Sequence, residues 1–179
     1  MRIALIFSVF LFFLCSCVVQ FAAGNEYARL PVEEQSKIMK LSSFASVDNS
    51  FIYEINGLQL RSELAKHQKS IVYTFTSNCS SDYCVPLSVI ENYAAENNYK
   101  LFLVISSYYK LELIKAQNFK NQLFGVDADY YGERKTRNYM KAFNTDLGYY
   151  NLAGSSNYVG NILFFDRDSL VAIKRSILE

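Results

Sequence analysis

Apolar and polar positions along the chain follow two periods, one typical of strands and one typical of helices. Buried strands are predicted from β-branched and aromatic runs at 51–55, 70–76, 100–106 and, as a shorter run, 125–129. Helices are predicted from apolar residues at helical spacing at 60–68, 85–97, 111–124 and 134–147. The alternation of strands with helices indicates an α/β fold that is built around a central sheet.

The C-terminal part of the chain is predicted to form a β-hairpin. Its strands span 161–166 and 169–174, and Arg167-Asp168 between them is typical of a turn. The two strands of a hairpin are antiparallel, whereas strands that are joined through helices are usually parallel. We therefore predict a central mixed sheet with helices on its faces and a C-terminal β-hairpin.

The first residues have the form of a secretory signal. Met1-Arg2 is followed by a predominantly apolar segment at 3–14. Leu14-Cys15-Ser16-Cys17 then resembles a bacterial lipobox, which implies cleavage before Cys17 and lipidation of that cysteine. Several acyl chains on one residue would hold the mature protein stably on a membrane of the bacterial cell envelope.

Two other outcomes stay open for this segment. Cleavage after Gly24 would secrete the chain, and residues 3–23 could instead be kept as an uncleaved anchor. All three outcomes place the rest of the chain outside the cytoplasm. We divide the chain into a signal peptide at 1–16, a tether at 17–50 that starts with the lipidated cysteine, and a folded domain at 51–179. A short helix is predicted within the tether, at 32–41.

Composition narrows the classes of function. Lys and Arg total 18 against 17 Asp and Glu, so a strongly basic surface for nucleic acid is excluded. Hydrophobic residues make up 51% of the chain, which is enough for a packed core. One His and four Cys are few ligands for a metal cage, and Asp127 with Asp129 supplies fewer oxygens than calcium prefers. We expect no cofactor and no nucleic-acid partner.

The residues with the clearest chemistry lie between a predicted strand and a predicted helix. Cys79 and Cys84 are on a polar segment that joins the strand at 70–76 to the helix at 85–97. Unpaired N–H groups at the start of a helix favour the thiolate at Cys79, and the thiolate is the nucleophilic form of cysteine. Two positions five apart do not share one face of an ideal helix, so a bond between them requires a distorted first turn or a helix that begins after Cys84.

From residue 51 onward, the order of strands, cysteines, helices and hairpin resembles the thioredoxin-like fold. The closest likeness is to the TlpA/ResA-like group of membrane-tethered thiol–disulfide oxidoreductases, in which a strand leads into a W-C-x-x-C motif and then a helix. Cys79 takes the place of the attacking cysteine, and Pro86 falls near the helix proline of that group. The resemblance implies a three-layer thioredoxin-like fold, catalysis by Cys79 and Cys84, and protein thiols or disulfides as substrates.

The chain departs from the pattern of this group at three positions. Asn78 stands where the group has tryptophan, Asp82 where it has the resolving cysteine, and Gly160 where it has a cis-proline that faces the cysteines. A carboxylate at Asp82 also disfavours a nearby thiolate, because like charges repel. These departures support an alternative: a non-catalytic binding lipoprotein of the same fold, with a structural Cys79–Cys84 disulfide and an unidentified protein partner.

The cysteine spacing is also similar to that of another redox family. The C-x₄-C pattern and Thr76, three residues before Cys79, are similar to atypical two-cysteine peroxiredoxins, although Val72 replaces the proline of their motif. This likeness implies a thiol peroxidase as a third interpretation. Thiol–disulfide exchange is favoured over the other two by the position of the cysteines in the fold, which is an argument from analogy.

Overall fold

Seven strands form one mixed sheet in the computed structural model, which describes residues 26–77, 84–154 and 159–177. In chain order they are β1 (Ile38–Lys40), β2 (Ile52–Ile55), β3 (Lys69–Phe75), β4 (Lys100–Ile105), β5 (Leu123–Val126), β6 (Ile162–Asp166) and β7 (Ser169–Lys174). Their order across the sheet is β1-β2-β5-β4-β3-β6-β7. The strands from β1 to β3 in this order pair in parallel, whereas β6 is antiparallel to both β3 and β7. The predicted mixed sheet with a C-terminal hairpin is confirmed.

Helices cover both faces of this sheet. They are α1 (Val32–Gln35), α2 (Gly57–Leu64), α3 (Leu87–Glu96), α4 (Leu111–Lys115), α5 (Thr136–Asp146) and α6 (Tyr149–Ala153), with short 3-10 turns at Tyr27–Arg29 and Phe44–Ser46. The buried side chains of α3 and α4 pack on one face, and those of α2, α5 and α6 pack on the other. The protein is therefore an α/β protein whose mixed sheet lies between helices.

The central strands are buried on both faces because helices cover both sides. In β3, Ile71 and Tyr73 face α3 and α4, whereas Val72 between them faces α2 and α5. All residues of β3 after Lys69 are buried, which explains why its sequence is an almost continuous apolar run. β3 is thus a buried support for the residues that follow it along the chain.

The predicted helix at 32–41 is correct only in its first turn. The structure ends α1 at Gln35, and Ile38–Lys40 forms the edge strand β1, which pairs with β2. Ile38 is buried in the core, so pairing with β2 provides it with contacts that an isolated short helix lacks. Part of the segment predicted as a tether is thus in the sheet.

Other boundaries also differ from the predictions. The helix predicted at 111–124 ends at Lys115, because Leu123 and Phe124 at its far end pair with β4 and β2 as part of β5. Short apolar runs fit a strand or a helix equally well, and the neighbouring strands decide between them. The helix predicted from residue 60 already begins at Gly57, where Asn56 and Gln59 form a reciprocal capping box.

The N-terminal prediction lies outside the part of the chain that the structure describes. The signal peptide at 1–16 and Cys17 belong to residues 1–25, which are not described. Among the helices of residues 26–77, 84–154 and 159–177, none has the length and apolar character needed to cross a membrane.

Candidate functional site

Cys84 lies between the end of β3 and the start of α3, and it is disulfide-bonded. Its predicted partner Cys79 lies outside the described residues, as do Asn78 and Asp82. A disulfide between cysteines five residues apart requires a helix that begins after the second cysteine. α3 begins at Leu87, after Cys84, and so meets this requirement. Of the predicted catalytic pair, the structure therefore describes one member and its chemical state.

The backbone next to Cys84 is attached to the core. The hydroxyl of Tyr73, which is buried in β3, donates a hydrogen bond of 2.9 Å to the carbonyl oxygen of Val85. Pro86 follows in an extended conformation, and its carbonyl accepts the amide protons of Val89 and Ile90 in the first turn of α3. A proline fits this position because no N–H is needed there. These contacts hold the chain beside Cys84 independently of the disulfide.

Gly160 lies just before β6, close to the end of β3. The amide of Thr74 donates 2.9 Å to the carbonyl of Asn161, so the register places Gly160 near Phe75, the last residue of β3. A Cβ atom on residue 160 would collide with the carbonyl group of Lys174. The described peptide bonds include none in the cis form. Glycine is required here by the close approach of β7.

A cavity of about 420 Å³ lies at the carboxyl ends of β1, β2 and β5. This edge of a parallel sheet is where open α/β proteins usually bind ligands, and the volume is within the range of small-molecule sites. Lys40 of β1 is aligned with Glu54 of β2, and both side chains line the cavity; Glu54 is in turn aligned with Gly125 of β5. This row of aligned residues ends at the loop after β5, which carries Asp127 and Asp129.

Lys40 is the centre of an ion-pair cluster in this row. Its Nζ atom lies 3.2 Å from Glu54 Oε2 and 3.5 Å from Asp129 Oδ2, and it also pairs with Asp127. Burial lowers the pKa of Lys40, but Asp127 and Glu54 outweigh this effect, so the pKa is raised. The lysine is thus charged across the physiological range.

Tyr108 orients the carboxylate of Glu54 from the other side. Its hydroxyl donates 3.0 Å to Glu54 Oε1, and its ring lies against Gly125, where any Cβ atom would collide with the hydroxyl group. Burial raises the pKa of Glu54, while Lys40 opposes the rise. Burial and the charge of Glu54 raise the pKa of Tyr108 well above its usual value, so it stays a hydrogen-bond donor. Both oxygens of Glu54 therefore have fixed partners.

The cavity is connected to the end of β3 through Ser106. Tyr139 lines the cavity, and its hydroxyl donates 2.6 Å to the carbonyl of Ser106. The amide of Ser106 in turn donates 2.9 Å to the carbonyl of Phe75. Two residues further on, Ser77 hydrogen-bonds the carbonyl of Tyr109. The loop at 106–109 is thus hydrogen-bonded both to Tyr139 in the cavity wall and to the segment after β3 that leads to Cys79.

Sequence analysis missed the residues that form this second site. The sequence pattern assigns Lys40 to a tether, and no periodic pattern surrounds Tyr108. A signal was present in Glu54, the only carboxylate within the apolar strand at 51–55. The sequence analysis treats Asp127 and Asp129 only as possible ligands of a calcium ion. Within residues 26–77, 84–154 and 159–177, no three His, Cys, Asp or Glu side chains are grouped so that they could hold a metal ion.

Comparison with known proteins adds no assignment. No protein-family model, no curated protein and no solved structure matches the chain. Function is therefore argued from two features of the molecule, the disulfide before α3 and the cavity at the carboxyl edge of the sheet.

Proposed function

We propose that the protein is a thioredoxin-like thiol–disulfide oxidoreductase that acts outside the cytoplasm through Cys79 and Cys84. The observation that carries the proposal is the disulfide-bonded Cys84 directly between β3 and α3. In the fold family that the sequence resembles, this junction between central strand and helix holds the redox-active pair. Protein thiols and disulfides would be the substrates.

The sheet order supports this choice of fold. β3 lies between β4, which is parallel to it, and β6, which is antiparallel and continues into β7. α3 follows β3 and returns the chain to β4. A central strand with a parallel neighbour on one side and an antiparallel hairpin on the other is the arrangement that the resemblance implies.

The exchange reaction would use the disulfide as a two-electron acceptor. A substrate thiolate attacks the sulfur of Cys79, the Cys79–Cys84 bond breaks, and Cys84 leaves as a thiolate. A second substrate thiolate then attacks the mixed disulfide, so that the substrate forms its own disulfide and Cys79 is released as a thiolate. The substrate is oxidised and the protein reduced, and the reverse sequence reduces a substrate disulfide. A second dithiol–disulfide couple restores the starting state.

The start of α3 is suited to stabilise a thiolate. α3 has ten residues, and no acidic side chain lies in its first turn. The helix dipole places partial positive charge at this end of α3, which lowers the free energy of a nearby thiolate relative to the thiol. Cys84 lies three residues before Leu87, the first residue of the helix. The helix therefore favours Cys84 as a leaving group.

One observation favours a second function, that of a non-catalytic binding protein with a structural disulfide. Gly160 occupies the position of the cis-proline, and the carbonyl of Lys174 leaves no room there for a side chain. The backbone at this position would therefore differ in shape from that of an active oxidoreductase of this group. Under this alternative, the protein would act through its surface and the disulfide would stabilise the fold.

Location is part of the proposal. A bacterial envelope lipoprotein that is anchored through Cys17 agrees with a disulfide in the folded domain, because disulfides persist in oxidising compartments. Secretion after cleavage at Gly24 would serve the same chemistry without the anchor. The mass of the mature N-terminal peptide distinguishes the two, since only lipidated Cys17 carries acyl chains.

A redox titration separates the two functions. The full chain would be equilibrated with dithiothreitol buffers, and the fraction of Cys84 in the disulfide would be read by alkylation and mass spectrometry. A midpoint above about −250 mV is expected for a catalytic pair, whereas a midpoint below about −300 mV would mark a structural disulfide and overturn the proposal. In a Cys84→Ser variant, Cys79 should trap substrates as mixed disulfides, and the matched Cys79→Ser variant should trap markedly fewer.

A further inference from the structure

The chain enters the fold beside the segment that follows β3. Glu26 is the first residue that the structure describes, and its carboxylate accepts the amide proton of Tyr108 at 3.1 Å. The ring of Tyr27 meets the ring of Tyr108 edge to face, with 6.4 Å between the ring centroids. Ser77, two residues after β3, donates a hydrogen bond to the carbonyl of Tyr109. Two adjacent residues of one loop therefore join the entry point of the chain to the segment after β3.

This entry point and Cys84 lie at the same edge of the sheet. β3 ends at this edge with Phe75, and α3, which returns the chain to β4, begins there just after Cys84. The opposite edge holds the turn between β6 and β7, because antiparallel β6 pairs Asp166 with Lys69 at the start of β3. The seven residues of β3 separate the two edges by about 20 Å. The segment that precedes Glu26 is therefore joined to the edge that holds Cys84.

The segment between the proposed lipid anchor and this edge is short. Nine peptide units connect Cys17 to Glu26. A fully extended chain spans at most about 3.5 Å per residue, so that these units cover at most about 30 Å. The edge with Cys84 is thus held close to the bilayer surface, whereas the opposite edge can lie about 20 Å farther away. The point of attachment favours an orientation in which the Cys84 edge is the nearer one.

Exposed side chains beside the entry point suit contact with lipid headgroups. Tyr109 is 51% exposed and Leu113 is 48% exposed. The Nζ atom of Lys110 lies 5.4 Å from the centroid of the Tyr109 ring. Tyrosine and lysine both keep a polar end in water while their apolar part contacts lipid, and tyrosine is enriched at membrane–water interfaces. These three side chains therefore fit the interface region of a membrane.

Charge favours one part of this edge for that contact. The cavity at the carboxyl ends of β1, β2 and β5 is lined by four carboxylates and two cations, namely Glu26, Glu54, Asp129 and Glu133 with Lys40 and Arg134. The phosphate groups of lipid headgroups repel such an excess of negative charge. The part of the edge at β3 and β4, which holds Cys84 and Lys110, is therefore better suited to face the bilayer.

We propose that the edge with Cys84 faces the membrane that carries the lipidated Cys17, and that the substrates are cysteine pairs of proteins at the surface of that membrane. The inference rests on the proposed thiol chemistry and on the proposed lipid anchor. It adds the substrate class, because the short tether holds Cys84 at a height that only cysteine pairs close to the membrane share.

Energy transfer to the lipid surface tests the orientation. The full chain, isolated with its anchor, is reconstituted into phosphatidylcholine vesicles whose headgroups carry an acceptor dye. A donor dye is attached, without reduction of the native disulfide, to Glu112→Cys at the Cys84 edge or to the matched control Ser169→Cys at the opposite edge. Both native side chains are exposed. We expect higher transfer efficiency from residue 112 than from residue 169, and equal or reversed efficiencies would overturn the orientation. Leu113→Cys is the second donor position if Glu112→Cys does not fold.

Two lipid-anchored dithiol peptides test the substrate class. They share one cysteine-containing sequence, and a flexible spacer of about five residues in one and about sixty in the other separates it from the lipid. We expect the vesicle-bound chain to oxidise the short-spacer peptide at least about fivefold faster, because its thiols have the higher effective concentration near Cys84. The same chain in detergent is the control, and it should oxidise both peptides at similar rates. Equal rates on vesicles would contradict the proposed substrate class.

The outcomes distinguish this inference from the proposals on which it rests. A chain that does not stay on the vesicles has no anchor, which refutes the inference and the location together. If neither peptide is oxidised, on vesicles or in detergent, the thiol chemistry and the substrate class are both wrong, while energy transfer still reports the orientation. If both peptides are oxidised equally fast on vesicles, the proposed chemistry stands and only the inference fails.

Discussion

The hydroxyl of Tyr149 lies 3.0 Å from the carbonyl oxygen of Gly160 and 3.1 Å from its amide nitrogen. It also accepts the amide proton of Val159 at 2.8 Å. One buried tyrosine of α6 thus satisfies the backbone just before β6. The hydroxyl of Tyr149 therefore holds the chain where it enters β6.

The first prediction concerns this tyrosine. Tyr149→Phe should lower the free energy of unfolding by about 1–3 kcal/mol, because it leaves the polar groups of Val159 and Gly160 buried without a partner. Urea unfolding followed by circular dichroism measures the change. Tyr150→Phe is the control, since Tyr150 is less buried and forms no such bond among the contacts described. An equal loss of unfolding free energy in both variants would show that the hydrogen bonds of the Tyr149 hydroxyl do not stabilise the protein.

The second prediction concerns Gly125 and Tyr108. A methyl group at residue 125 would collide with the hydroxyl of Tyr108, so Gly125→Ala should destabilise the protein by about 1–3 kcal/mol. The loss should be smaller when Tyr108→Phe is already present, because the atom nearest to the new methyl group is then gone. A double-mutant cycle measures this coupling, and additive effects would contradict the geometry.

The third prediction uses the opposite pKa shifts of Glu54 and Glu63. Burial raises the pKa of Glu54, and Lys40 only partly opposes it. Burial also raises the pKa of Glu63, but hydrogen bonds from Lys66 and His67 outweigh it, so that the pKa is lowered. Glu54 therefore contributes stability below its unfolded pKa that is lost as the pH rises through its folded pKa. Glu63 contributes stability above its unfolded pKa that is lost as the pH falls.

Unfolding free energies of the two glutamine variants, measured between about pH 4 and pH 7, test these signs. Relative to the unmodified chain, Glu54→Gln should gain stability as the pH rises, because it lacks the carboxyl that is costly to ionise. Glu63→Gln should lose relative stability over the same interval. Parallel slopes in the two variants would contradict the assigned environments.

The fourth prediction concerns the partner of Cys84. Protease Asp-N cleaves before Asp82, between Cys79 and Cys84, so a bond between these residues keeps the two resulting peptides joined until reduction. We expect mass spectrometry of the non-reduced digest to show this joined species. Peptides that link Cys84 to Cys15 or Cys17 would contradict both the pairing and the lipidation of Cys17.

Local pattern was enough to predict most of the sheet. β3, β4 and the hairpin of β6 and β7 were predicted within a residue or two of their ends, since burial on both faces leaves long apolar runs. β1 was missed because a three-residue edge strand has too few residues for any period to appear. The junction of Cys84 with α3 was also predictable, because the cysteine, the proline and the helix are neighbours in the chain.

The sequence by itself determined the α/β class, the C-terminal hairpin and the cysteines between a strand and a helix, since periodicity and adjacency are local properties. Tertiary structure alone decided the strand order, the close contact of Gly160 with β7, and the cavity around Lys40 and Glu54. Lys40 and Asp127 are 87 residues apart, and they meet only because β1, β2 and β5 pair in parallel at one edge. The pairing of distant strands depends on the arrangement that best buries the apolar side chains of the whole chain. A local sequence pattern does not contain this information.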